Sequence, residues 1–217
     1  MTIEPGPAFV PYTLLAIGHL AACWRGDERW RRVTKPWLML VLLLTYIIVA
    51  PPASLWIVFA LVFALAGDTI LLGTNPRAFF WGGLAFLIGH VMYALGFLTS
   101  LDVARVPWWA PLAGLVYLAA AIAVYRPVAA NLGRIKPATI AYLVALNVMS
   151  LAAWLVWSST GGAEAAVALA GSLVFVVSDV MLIWDRYRRP IARGTFWIMA
   201  TYLVAQGLIV ASRCLTG

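Results

Sequence analysis

"FALVFALAGDTILLG", residues 59–73, sets one carboxylate, Asp68, into a run that carries no other charge. A second run, "AGSLVFVVSDVMLIW" at residues 170–184, does the same with Asp179. Each acid lies in a segment of about 20 predominantly apolar residues, the length a helix needs to cross a bilayer. The rest of the chain is built the same way. Its 217 residues are 64% hydrophobic and only 11% charged, with a mean hydropathy of +0.95. Soluble domains are roughly 45–50% apolar and about 25% charged. One aqueous core cannot absorb this much apolar surface, so the sequence predicts an all-α, polytopic integral membrane protein.

Charges, Pro and Gly divide the chain into eight predicted spans: 7–23, 36–50, 53–73, 78–100, 107–125, 137–158, 164–185 and 194–214. The second is short, and Pro51-Pro52 must form a very tight turn after it. The first apolar stretch has no basic leader and no A-x-A-like cleavage site, so a retained helix is expected there. The basic residues alternate sides. Connections 1–2, 3–4, 5–6 and 7–8 hold all of the 15 Lys and Arg residues except Arg105 and Arg213. The positive-inside rule then places these four connections in the cytoplasm and both termini outside. An even number of spans requires the same of the termini.

This pattern also accounts for the formal net charge of +7. Basic residues at helix ends face anionic headgroups, and no nucleic-acid partner is expected. Cys23 and Cys214 fall at opposite membrane faces, which excludes a disulfide between them. The whole of 1–217 reads as a single transmembrane domain.

Its halves resemble one another. Lys35-Pro36 opens span 2 and Lys136-Pro137 opens span 6; "GDTIL" in span 3 matches "SDVML" in span 7. Phe80, Trp81, Phe86 and His90 align with Phe196, Trp197, Tyr202 and Gln206 at one constant offset. The expectation is two parallel four-helix repeats, 7–100 and 107–214, with a site at their interface.

A charged side chain at the bilayer centre costs roughly 2.5–3.5 kcal/mol even on the lenient insertion scale, so intramembrane polar groups normally face a bundle interior or a wet cavity. The candidates are Asp68, His90, Tyr142, Asn147, Ser178, Asp179, Tyr202 and Gln206. At about 1.5 Å per residue, both acids lie roughly 8–9 Å inside the cytoplasmic ends of their spans. Lys35 stands at the cytoplasmic mouth. Phe86, His90 and Tyr93 share one face of span 4, and Tyr202 and Gln206 share one of span 8. Converging faces would enclose a pocket open to the cytoplasmic leaflet, suited to an amphiphile with an anionic head and an apolar tail. Each residue also has a purely structural reading. An intramembrane Asp can be a packing donor, Lys35 can snorkel, and Tyr202 and Gln206 can be interhelical hydrogen-bond partners.

The same residues carry a family resemblance. Lys35-Pro36, Gly67-Asp68-Leu71, Phe86-His90-Tyr93, Phe175-Ser178-Asp179 and Tyr202-Gln206, in this order and spacing, resemble the lysoplasmalogenase-like (YhhN-type) family of eight-span membrane proteins. The likeness runs from about residue 10 to 212. It implies hydrolysis of the vinyl ether bond of lysoplasmalogens, giving a fatty aldehyde and a glycerophospho-ethanolamine or -choline. The partners implied are a lysophospholipid and the bilayer, and the expected location is a bacterial inner (plasma) membrane. Asp68 and Asp179 are then the expected catalytic pair. Lys35, His90, Tyr93, Tyr142, Asn147, Ser178, Tyr202 and Gln206 are the expected substrate-binding residues.

The chemistry suits two carboxyls. Vinyl ethers hydrolyse through protonation of the β-carbon to an oxocarbenium ion. Glycosidases meet a similar transition state with a pair of carboxyl groups. One Asp would give the proton while the other stays ionised, and the sequence does not say which. Lys35 is expected either to bind phosphate or to hold one Asp ionised. No metal or cofactor is expected: two histidines without neighbouring thiols fall short of a zinc set. No G-x-S-x-G elbow points to a serine lipase. A proton-coupled transporter and a non-catalytic lipid-binding protein remain as alternatives, because paired intramembrane acids serve carriers as well.

Overall fold

The structure is a computed structural model describing residues 5–50 and 52–214. Among these residues every regular element is helical. After a single turn at Pro5–Ala8 come α1 (Val10–Arg25), α2 (Glu28–Val49), α3 (Leu55–Ile70), α4 (Pro76–Leu98), α5 (Ala113–Val128), α6 (Lys136–Thr160), α7 (Ala163–Tyr187) and α8 (Gly194–Cys214). Taken with their flanking turns, α1, α2 and α4–α8 are seven helices long and apolar enough to cross a membrane. The 16-residue α3 is apolar but shorter.

Three boundaries differ from the sequence reading for local reasons. Helix α2 starts at Glu28, well before Pro36, because Asp27 caps it: its Oδ1 accepts from the Trp30 amide at 3.0 Å. Glu28 accepts from Arg31 at 2.7 Å one turn on, which favours a charged first turn outside the apolar run. Helix α3 occupies less than 53–73, since Leu71–Gly73 turn back into a loop. Helix α5 begins only at Ala113, after two 3-10 turns, Val103–Arg105 and Ala110–Leu112, the second of which follows Pro107 and contains Pro111. Pro cannot donate to a helical ladder. Pro51, half of the expected tight turn, lies outside the described residues. Across that turn the Ser54 amide donates to Tyr46 Oη at 2.9 Å, tying the end of α2 to the start of α3.

The tightest helix pairs are α3 with α4 and α7 with α8, the third and fourth helices of each half. Gly82, Gly89 and Gly96, spaced by seven, carry α4 along the full length of α3. A Cβ at Gly82 would strike Leu71, one at Gly96 would strike Ile57, and one at Gly89 would just touch the Ala60 carbonyl at 3.4 Å. Small residues let backbones approach where lipid supplies no hydrophobic drive to associate. The contacts pair the start of α4 with the end of α3 and the reverse, so the two run antiparallel.

Across the molecule α4 and α8 run parallel. Tyr93 donates to Gln206, and further along both helices Arg213 donates to the Gly96 carbonyl at 2.7 Å and to Ser100 Oγ at 3.1 Å. Helix α1 runs against α8: Tyr12 donates to the Leu203 carbonyl at 2.7 Å, and Arg193 donates to the Trp24 carbonyl at 3.2 Å. Leu38, Leu42, Leu61, Leu146, Met149 and Ile209 fill the shared core. Trp37, Phe59, Trp81 and Trp197 point outward, as residues solvated by lipid would.

Candidate active site

Asp68 sits in the last turn of α3, and only 2% of it is exposed. A buried carboxyl needs partners, and it takes them from two other helices. Lys35 Nζ of α2 lies 3.3 Å from Oδ1, and Tyr202 of α8 donates to Oδ2 at 2.8 Å. Helix α2 delivers Lys35 because its early, capped start places this residue two turns inside the helix. Gln206, one turn beyond Tyr202 on the same face, accepts from Tyr93 of α4.

Asp179 sits two turns from the end of α7 and is 5% exposed. Its Oδ2 accepts twice, from Tyr142 of α6 at 2.6 Å and from His90 Nε2 of α4 at 3.0 Å. Its Oδ1 has no hydrogen-bond partner among the described residues. Three rings separate the two acids. His90 meets Phe175 edge-on at 4.8 Å between centroids, and Phe175 meets Tyr202 at 5.5 Å. Phe86 closes on Tyr202 at 5.8 Å and fills the space where a Cβ on Gly67 would stand.

Each acid therefore takes a hydrogen bond from the fourth helix of the opposite half: Asp68 from α8, Asp179 from α4. His90 and Gln206, which align in the two halves, also share a less usual property. Both are fully buried, and each has one side-chain nitrogen without a partner among the described residues, His90 Nδ1 and Gln206 Nε2. Buried polar atoms without a partner are costly, and these two nitrogens lie beside the two acid clusters.

A cavity of about 310 Å³ leads to the second cluster. It runs between the starts of α4 and α6 and the end of α7. Leu84, Leu87, Leu132 and Ile183 form apolar walls, Tyr142 lies at its inner end, and Arg186 stands on its rim. Tyr142 thus has its ring in the cavity and its hydroxyl on Asp179. A single apolar chain with a polar head matches this shape better than a compact polar solute, since the walls offer almost no hydrogen-bonding groups.

The YhhN family profile matches residues 30–213. The chain belongs to the YhhN family. Among curated proteins, this YhhN chain is 28% identical to the human lysoplasmalogenase TMEM86A over 186 residues, 81% of the chain and 72% of that protein. It is 34% identical to the mouse lysoplasmalogenase TMEM86B over 180 residues, 82% of the chain and 72% of that protein. The human lysoplasmalogenase TMEM86B is 29% identical over 153 residues, 70% of the chain and 61% of that protein. No solved structure matches.

Against this geometry the residues singled out in the sequence separate into groups. Lys35, Asp68, Tyr202, Gln206 and Tyr93 form one connected cluster, and His90, Tyr142 and Asp179 form the other. Ser178 instead donates to the Ile198 carbonyl at 3.0 Å and ties α7 to α8. Asn147 donates to the Leu143 carbonyl of its own helix at 2.7 Å, with its Oδ1 unpartnered. Among the described residues no three of His, Cys, Asp and Glu come together as a metal site, and both cysteines are free. Sequence reasoning counted Arg186 only toward topology. Its spacing from Asp179 was the available signal: seven residues is two turns, on the same face.

Proposed function

We propose that this chain is a membrane lysoplasmalogenase. It hydrolyses the vinyl ether bond of lysoplasmenyl-ethanolamine or -choline by acid–base catalysis with Asp68 and Asp179. The observation that carries the reading is the apolar cavity ending on Tyr142, whose hydroxyl holds a buried carboxyl with one oxygen unengaged. The relatives named lysoplasmalogenases support the reaction class.

The reaction needs three services. A carboxyl proton passes to the β-carbon of the vinyl ether, leaving an oxocarbenium ion at the α-carbon. A carboxylate nearby stabilises that cation and takes a proton from the water that adds to it. The resulting hemiacetal collapses: its hydroxyl proton leaves, the carbon–oxygen bond to glycerol breaks, and the glycerol oxygen is protonated. The products are a fatty aldehyde and the glycerophospho-headgroup. The two carboxyls divide the donor and acceptor roles, Asp179 acting at the cavity through its contact with Tyr142 and Asp68 from beyond the His90, Phe175 and Tyr202 rings. Lys35 supplies the counter-charge to Asp68. His90, Tyr142 and Tyr202 hold the carboxyls in place, Gln206 and Tyr93 extend the Asp68 cluster, and Asn147 and Ser178 bond to backbone carbonyls of the surrounding helices.

The same reading takes the chain as eight spans in two parallel repeats, in a bacterial inner membrane with both termini outside. The antiparallel run of α3 along α4 supports counting α3 as a span, and the crossed pairing of each acid supports the repeats. The cavity then opens to the cytoplasmic leaflet, beside the basic connection between α7 and α8.

The test is release of free fatty aldehyde from a lysoplasmalogen by detergent-purified protein. A hydrolase turns over without a sealed bilayer. Retention of intact substrate without aldehyde, or movement of lipid only across closed vesicles, would refute the proposal.

A further inference from the structure

We infer that Arg186 is the phosphate-binding residue of the cavity, and that the cavity takes a single-chain lipid phosphodiester with its phosphate at the rim and its chain along the apolar wall. This rests on reading the cavity as the amphiphile site. The obvious cation, Lys35, stands elsewhere: its ammonium lies on Asp68, and it does not line the cavity. Arg186 does line it. Its guanidinium lies over the Phe79 ring at 4.9 Å and donates a hydrogen bond to the Tyr187 side chain, two cavity-lining neighbours that hold it without neutralising it. No carboxylate pairs with Arg186 among the described residues. The neighbouring Asp185 is turned away, accepting from the Ile191 amide at 2.6 Å.

The spacing fits the ligand. Arg186 lies about 10 Å along the helix axis from Asp179. That is close to the reach from a phosphate through three glycerol carbons to the first carbons of an ether-linked chain. A phosphate on the Arg186 fork therefore sets the bond to be broken beside Tyr142 and Asp179. Guanidinium suits this task because it can grip two phosphate oxygens at once. The walls beyond accept only hydrocarbon. Charge and shape together thus select a lipid over a free headgroup, which Arg186 would hold without any gain from the apolar walls.

The experiment is equilibrium binding to the purified full-length protein in detergent. The probes are 1-O-hexadecyl-glycerophosphocholine, whose saturated ether cannot be hydrolysed by this route, and 1-O-hexadecylglycerol, which lacks the phosphate. Because neither turns over, the result is independent of whether the protein proves to be a hydrolase. Arg186→Gln is expected to weaken the phosphate-bearing ligand by about tenfold or more and to leave the alcohol unchanged. Arg186→Lys should fall between. Gly83 lines the cavity and a Cβ there meets nothing within 4 Å, so Gly83→Phe should fill the space and weaken both ligands. Free glycerophosphocholine should not displace the lipid. Equal loss of both ligands in Arg186→Gln, no loss of the phosphate-bearing one, unchanged binding in Gly83→Phe, or displacement by the free headgroup would each overturn the assignment.

Discussion

Tyr142 shows how a residue acquires a role from its neighbours. In the sequence it is one of several tyrosines in apolar helices. In the structure its ring forms the inner end of the cavity and its hydroxyl holds Asp179. Tyr142→Phe removes one donor to a carboxyl and keeps the ring. His90 still holds the same oxygen, so folding should survive. Hydrogen bonds to charged groups are worth about 1.5–3 kcal/mol, and kcat is expected to fall by about tenfold or more with little change in KM. An unchanged kcat would make the hydroxyl a packing feature. At this scale the sequence was most informative about acids: Asp68 and Asp179 stand out because lipid makes any charge conspicuous. It was least informative about their partners. Tyr142 and His90 lie 37 and 89 positions from Asp179, a pairing only packing reveals. Arg186 escaped notice because a basic residue at a helix end already has a sufficient reason to be there.

At the scale of elements, the close helix pairs are set by small residues. At Gly171 of α7 a Cβ would stand 2.9 Å from Ile209 Cγ1 and 3.0 Å from the Ile209 amide nitrogen of α8. A backbone nitrogen cannot step aside as a side-chain tip can. Gly171→Ala should therefore cost about 1–3 kcal/mol, read as a lower melting temperature and a smaller monodisperse fraction. Gly18→Ala, where a Cβ meets nothing within 4 Å, is the control and should change neither. Equal behaviour of the two variants would mean that α7 and α8 are not packed as closely as described. The all-helical fold and its seven membrane-length helices were legible from the apolar runs. Their ends were not, because caps and prolines override hydropathy. Asp27 starts α2 early, and the turn at Leu71–Gly73 stops α3 short.

For the whole molecule, the charge pattern predicts sidedness. A cysteine at Arg105 or Glu164 should react with an impermeant thiol reagent added outside intact cells. One at Arg29 or Arg188 should not. The opposite pattern would move the cavity to the other leaflet. The central claim concerns how the molecule uses two buried acids that three aromatic rings keep apart. Asn in place of either Asp keeps size and most hydrogen bonding but cannot cycle a proton. Removing the Asp179 charge relieves desolvation, whereas Asp68→Asn leaves the Lys35 ammonium without its counter-charge, so the Asp68 variants are expected to be the less stable and are compared per folded molecule. The decisive measurement is aldehyde released per folded molecule, compared among wild type, Asp68→Asn, Asp179→Asn and the double variant, with monodisperse elution as the folding check. Each single variant should lose about 10²–10⁴-fold in turnover, and the double should be little worse, since residues acting as a unit are non-additive. Retention of more than about a tenth of wild-type turnover in either single variant would contradict the account and leave that Asp a structural partner of its neighbours.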